Sequence, residues 1–311
     1  MVSVDWRRAC APAALYALLL SLNTAAPALC DESPSKTLLT IGKTDLSATR
    51  GDRLLRPVVS YLSSRLDELG IAKGVAVVPR ETDTITSYLK RGKIDVVFAA
   101  PYETMLFARD AGARPLLMGK RRGESEEHCH IFTRRDSGIE SISDLEGRSL
   151  ALKGRGSTTG FFLPVLTIRS EGLTLTELRS SDAPVPRGEV GYLFAGDPLN
   201  ITNWVFHGKM DAGALSSSAW DVQEINPEAY RKELVIIGES VPLPTLIVSL
   251  REDLDEGLAL RVREELLLMN STEAGRKALQ SYGLDSFNEM EEGELENCRA
   301  LFRLFTRVQE H

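Results

Sequence analysis

Histidine is scarce in this chain, with four among 311 residues, and the scarcity removes several chemistries at once. His128, His130, His207 and His311 lie away from any serine or cysteine motif, so no Ser/His/Asp or Cys/His nucleophile set can be read. The four cysteines, Cys10, Cys30, Cys129 and Cys298, are too widely spaced for a zinc pattern, and sequence assigns them no disulfide. Positive charge is also short. Lys and Arg number 37 against 44 Asp and Glu, a formal net charge of -7, which excludes a general nucleic-acid-binding surface. Internal repeats and low-complexity runs are missing, as are the P-loop and the dinucleotide fingerprint.

The apolar run 11–22 is too short for a comfortable membrane span. It follows Arg7 and Arg8 and precedes Ala26-Pro27-Ala28, a small-x-small cleavage site. This is the pattern of a secretory signal peptide over residues 1–28, and it places the mature chain in the periplasm. A lipid anchor at Cys30 is disfavoured, because Leu29 stands where a small residue is needed. His128-Cys129-His130 resembles a metal cluster, and alternation along a strand puts both rings on one face. No second ligand pair is close in sequence, so both histidines are expected to be structural, with no metal.

What is present reads as α/β. Strands at 37–42, 74–79 and 94–99 alternate with helices over 54–69, 82–91 and 102–111, the βαβα order of a parallel sheet. Pro57 is expected in the first turn of its helix. Further strands are expected at 114–118, 128–133, 149–152, 191–194, from 211, and at 234–238, with an extended crossing segment at 242–249. A Ser/Pro-rich loop is expected through Pro186. A helix is expected at 201–207, and two amphipathic helices, 259–269 and 295–308, close the chain with a Glu-rich loop between them. The length suggests roughly two domains.

The strongest local pattern is Lys153-Gly154-Arg155-Gly156-Ser157-Thr158-Thr159-Gly160-Phe161-Phe162-Leu163-Pro164. A short strand precedes it, and Ser157 is a natural N-cap for the helix that follows. A glycine loop feeding a helix start offers free N–H groups and the positive end of the helix dipole, which suits an anion. The residues alone leave two readings open, an anion site and an ordinary capped helix.

Taken in order, several further stretches resemble one family along nearly all of the mature chain. They are Pro57-Val58-Val59-Ser60-Tyr61-Leu62, Gly92-Lys93-Ile94-Asp95, Pro101-Tyr102, Asp136-Ser137-Gly138-Ile139, Asp144-Leu145-Glu146-Gly147 and Gly208-Lys209-Met210-Asp211-Ala212-Gly213. With Ser157-Thr158-Thr159-Gly160 they resemble the phosphate/phosphite/phosphonate-type substrate-binding proteins of ABC transporters. That resemblance implies a two-lobed type II periplasmic-binding-protein fold with two hinge strands. Lobe one would comprise 29–130 plus 246–311, and lobe two 131–245. The chain would cross near 128–134 and return near 244–249, with the final helices packed on lobe one.

The resemblance favours the anion reading, with Ser157, Thr158, Thr159 and Gly160 as the anion-holding helix start. Tyr102 would wall the cleft, and Asp211 matches the family's cleft aspartate. A carboxylate there would favour a ligand carrying a proton or another donor. Glu103 is expected to be a solvated first-turn residue. The pattern departs where many members carry a Ser-His pair, since this chain has Gly196-Asp197-Pro198 there, followed by Asn200 and Trp204. Asn200 is a candidate for ligand recognition, and Trp204 is expected in the core of lobe two. Lys43-Thr44-Asp45 also stands where a proline-containing turn is common.

The expected function is therefore non-catalytic capture of a small oxyanion for an ABC importer, by a monomer that needs no cofactor and docks on a permease. A protein that signals its bound state to a membrane sensor is an alternative. An enzyme on the same fold, using Asp197 and Asp211 as paired carboxylates, is a second one.

Overall fold

The computed structural model describes residues 38–45 and 47–309, with side chains through Arg307. The expected signal segment 1–28, Cys30 and His311 lie outside the described residues. The first sheet collects β1 (Leu38–Gly42), β2 (Lys73–Val77), β3 (Val96–Ala99) and β4 (Arg114–Lys120). After a two-residue strand, β5 (Glu126–Glu127), the second sheet takes β6 (Cys129–Arg134), β7 (Ser149–Leu152), β8 (Thr174–Glu177), β9 (Glu189–Phe194), β10 (Ala212–Ser216) and β11 (Leu234–Glu239). The chain then returns through β12 (Leu243–Pro244) to β13 (Ile247–Leu250) and β14 (Ser286–Glu289).

Strand order is β14-β4-β13-β3-β1-β2 in the first sheet and β11-β6-β10-β7-β9-β8 in the second. β1 is parallel to β2 and β3, and β7 to β9 and β10, while β13, β6 and β11 run antiparallel to their neighbours. β5 and β12 pair with each other in a separate two-stranded ribbon. Two sheets joined by two crossings are the two-lobed α/β architecture expected from the sequence.

Alternation explains the layers. All four residues of β3 are buried; Val96 and Phe98 join the apolar cluster under α1 (Ala48–Ser63), whereas Val97 and Ala99 pack against Ile85 and Phe107 on the other face. Ile85 belongs to α2 (Thr82–Lys90) and Phe107 to α3 (Pro101–Ala111). In the second sheet Leu150 and Leu152 share a cluster with Phe161 and Phe162, while Ala151 faces Ile201 and Val205. Strands covered on both faces read as continuous apolar runs, which is why they were legible.

Several elements depart from the expectation. Ser47 caps α1, accepting from the N–H of Arg50 at 3.3 Å, so the helix starts earlier than its leucine pattern suggests and Pro57 lies in its interior. The segment leading into Pro186 contains β8, an edge strand. α4 (Leu163–Ser170), α5 (Pro198–Phe206) and two short helices, α6 (Ser217–Trp220) and α7 (Glu228–Glu233), complete the second half. The closing region holds α8 (Glu256–Leu268), α9 (Glu273–Tyr282) and α10 (Glu292–Gln309), so the expected Glu-rich loop contains α9 and β14. In β14 only Phe287 is buried, so an edge strand of this kind carries little apolar signal. α8 and α9 pack on the first sheet, and α10 packs on α3 beside it, with Phe302 6.0 Å from Tyr102 between ring centroids, while Phe302 and Phe305 also join the cluster that contains Phe161 and Phe162 of the second.

Candidate functional site

In open α/β sheets ligands meet the chain beyond the carboxyl ends of the parallel strands. In the first sheet those ends lead to Thr44 after β1, Thr82 after β2, and Tyr102 and Glu103 after β3. In the second, β7 leads into the loop 153–157 and β9 into Asp197 and Asn200. The structure brings the first group against the loop after β7.

The helix start forms as the glycine pattern suggests. Ser157 has extended backbone, and its hydroxyl accepts from the N–H of Gly160 at 3.0 Å. The first turn, Thr158–Phe162, is of the wide π type, with the Ser157 carbonyl accepting from Phe162 at 3.0 Å. α4 follows directly. At such a start the first N–H groups, here those of Thr158 and Thr159, have no intrahelical acceptor. Gly160 has a packing reason: a Cβ there would lie 2.5 Å from Cβ of Lys153.

Thr158 and Tyr102 meet across the seam between the sheets. The N–H of Tyr102 donates to Oγ1 of Thr158 at 3.0 Å, and Thr158 is buried. The Tyr102 ring stacks on Phe162 at 4.8 Å between centroids, with 17° between planes. Phe305 closes the group from α10, 5.3 Å from Tyr102 and 5.0 Å from Phe162. Burial pushes the Tyr102 phenol up, against the opposing charges of Arg109 and Arg155.

Glu103 is not solvated, contrary to the first-turn expectation. It is buried, and its Oε1 accepts from the hydroxyls of Thr44 at 2.7 Å and Thr82 at 2.9 Å. A Cβ on Gly156 would lie 3.2 Å from the same oxygen, so the carboxyl group rests against the glycine loop. Burial raises the Glu103 carboxyl above its ordinary range, opposed by the two threonine hydroxyls and by Lys153 and Lys43. Lys43 is itself paired with Asp45 at 3.1 Å, so the unusual Lys43-Thr44-Asp45 turn contributes to this corner.

The other candidates fall elsewhere. Asp211 stands at the amino end of β10, where its Oδ2 accepts from the N–H and hydroxyl of Ser149 at 2.8 and 2.7 Å. β10 and β7 are parallel, so Asp211 and Ser157 lie at opposite ends of one sheet, a strand length of about 13 Å apart. The physical reason is the strand direction, and the structure does not bring Asp211 to the helix start. Asn200 lies at the right end of the sheet, but it is exposed and its amide donates to the Ala195 carbonyl at 2.9 Å. Asp197 caps α5 through the N–H of Leu199, at the end of the sheet opposite Asp211, so these two carboxylates are not paired. Trp204 packs on the outer cluster of the second sheet with Lys209 3.9 Å over its ring. Cys129 and Cys298 are both buried free thiols.

Sequence reading did not bring Glu103, Thr44 and Thr82 together. The signal that places them together is their position after β1, β2 and β3, whereas Asp211 precedes its strand.

Residues 44–295 match a family described as the periplasmic substrate-binding protein of the phosphonate ABC transporter. A protein of Xanthomonas citri is similar over 89% of this chain and 100% of its own length, at 30% identity and a TM-score of 0.85, in a structure bound to chloride ion. A structure of that protein bound to ATP gives 0.84. PhnD1 of Prochlorococcus marinus, solved with methylphosphonate, has 15% identity and a TM-score of 0.68 over 87% of this chain and 98% of its own. A binding-protein component of a phosphonate ABC transporter from Pseudomonas aeruginosa has 15% identity and 0.67, over 88% of this chain and 87% of that one. The last two are similar in fold.

Proposed function

We propose, for a chain that belongs to the periplasmic substrate-binding proteins of ABC phosphonate transporters, that it captures a small phosphorus oxyanion between its two sheets and delivers it to a membrane permease. The observation that carries this reading is the contact of Tyr102 with Thr158 at the free helix start. A ligand held by the N–H groups of Thr158 and Thr159 would touch both halves of the molecule, and a ligand that touches both halves favours the closed state. Ser157, Thr159 and Gly160 shape this anion end, and Tyr102 walls it. Lobe one is taken as 29–130 with 246–311, lobe two as 131–245, and residues 1–28 as the export signal of a monomer.

Glu103 narrows the ligand class. Its carboxyl group lies against the glycine loop, where a second negative charge is repelled unless a proton or cation stands between. The carboxylate role first given to Asp211 therefore passes to Glu103. The ligand matched to it is a monoanion with a P–OH group, or a zwitterion with an ammonium. The Xanthomonas citri protein solved with ATP adds phosphoryl groups of a nucleotide to the classes worth testing.

The test is calorimetric titration and thermal shift against phosphate, phosphite, alkyl- and aminoalkylphosphonates, ATP, sulfonates and carboxylates. A ligand at a hundred times its dissociation constant stabilises the native state by roughly 2.7 kcal/mol, an easily read rise in Tm. Binding of a phosphorus compound, weakened by Thr158→Val, supports the reading. Binding only of sulfonates or carboxylates, or of nothing in the panel, would overturn it.

A further inference from the structure

His128 immediately precedes β6 and His130 is its second residue, with their rings 4.7 Å apart between centroids. The sequence shows no second ligand pair near them, and its spacing singles out no third ligand. Strand pairing supplies one, because β11 sets Glu239 directly opposite His130. This placement depends on a bulge between Ile236 and Gly238. Without the extra residue Gly238 would face His130, and a bulge of this kind re-aims side chains. Gly238 is held there by packing, since a Cβ on it would lie 2.3 Å from Cδ1 of Ile142.

Three donor atoms result. Glu239 Oε1 lies 3.0 Å from Nδ1 of His130 and 3.9 Å from Nε2 of His128, and the three atoms fall within 4.8 Å of one another. His130 is 8% exposed, and its buried Nδ1 has no hydrogen-bond partner. A separation of 3.0 Å between Nδ1 of His130 and the Glu239 carboxylate suits a direct ion pair and equally two ligands of one ion. The backbones beneath are fixed: the Cys129 N–H donates to Oγ of Ser240 at 2.9 Å, the Ser240 N–H to the Cys129 carbonyl at 3.0 Å, and the Ser217 N–H to the His128 carbonyl at 2.8 Å.

We propose that His128, His130 and Glu239 bind a divalent transition-metal ion of the zinc class, which ties together the two segments that cross between the sheets. Two imidazole nitrogens and one carboxylate suit Zn²⁺, Ni²⁺ or Cu²⁺, whereas Ca²⁺ and Mg²⁺ take oxygen ligands. Metal–ligand bonds of about 2.0–2.2 Å require donors roughly 3–4 Å apart, so His128 has only a small adjustment to make. Glu239 is half exposed, leaving the ion open to solvent, and water completes its coordination. His128 belongs to the outward crossing between β5 and β6, and Glu239 ends β11 where the return crossing begins.

The test uses the tag-free chain and zinc chloride. Calorimetry is expected to give one ion per chain, with a dissociation constant at least about tenfold weaker in both Glu239→Gln and His128→Ala. These two partly exposed positions keep the test valid should His130→Ala fail to fold. Cobalt is expected to give a visible absorption band that both variants lose. Hydrogen exchange over 121–128 and 239–246 is expected to slow with zinc in the parent and not in Glu239→Gln. No zinc binding, or binding unchanged in both variants, would overturn the site; exchange unaltered by bound zinc would overturn the tie between the crossings.

Discussion

The N–H of Tyr102 and Oγ1 of Thr158 are joined by a 3.0 Å hydrogen bond that links the first helical turn after β3 to the first turn after β7. Thr158→Val keeps the shape and removes the acceptor. It leaves a buried N–H unpaired, so a loss of about 1–3 kcal/mol is expected in urea unfolding. Affinity for the phosphorus ligand is expected to fall by tenfold or more. Unchanged affinity would detach the helix start from the binding site.

Glu103 makes stability depend on pH. Its carboxyl is raised by burial, so the folded state holds the proton more tightly than the unfolded chain. That contribution is complete below the unfolded value, near 4.5, and is lost as pH rises through the raised folded value. Urea midpoints measured across this window should decline with pH in the parent and flatten in Glu103→Gln. Parallel profiles for the two proteins would contradict the assignment.

Phe305 fills the space between Tyr102, Phe161 and Phe162. Phe305→Ala is expected to cost about 3–5 kcal/mol, the usual range for a buried phenylalanine. A cost below about 1 kcal/mol in chemical denaturation would mean that α10 does not hold the two sheets together.

Gly160→Ala places a methyl group 2.5 Å from Cβ of Lys153. Both atoms are close to the backbone, so relief requires the loop to move. We expect a loss of about 1–3 kcal/mol and a clear weakening of ligand binding. Wild-type stability with unaltered binding would argue against the tight turn.

Asp211→Ala separates the resemblance from the geometry. Ser149 loses the acceptor for its N–H and hydroxyl, and a partly exposed site of this kind should cost about 1–2 kcal/mol. The ligand dissociation constant is expected to stay within twofold. A large loss of affinity without a loss of stability would return Asp211 to the binding site.

The buried strands and the Ser157 helix start were legible because their signals are local: an apolar run, a cap residue, glycines at a turn. Glu103 was not, because a carboxylate in a first turn reads as solvated until Thr44 and Thr82 arrive from other strands. Asp211 shows the complementary limit, since a motif match carries no information on which end of a parallel sheet it occupies. Glu239 illustrates the same limit. Its partnership with His130 depends on β11 pairing with β6 and on one bulged residue. α9 escaped notice because its glycine and polar residues dilute the helical pattern, although Thr272 caps it and Gly283 ends it at φ 81°.

The pairing of β5 with β12 has a mechanical consequence. Two separate connectors would let the halves of the molecule slide, tilt and twist independently. Here Leu243 stands opposite Glu127 and Pro244 opposite Glu126, and the Thr245 N–H donates to the Ser125 carbonyl at 2.9 Å. Such a double-stranded strap twists and bends with its bonds intact but cannot shear without breaking them. Any opening of the two halves would then be rotational, and such a rotation would carry Thr158 on an arc that leads back to Tyr102.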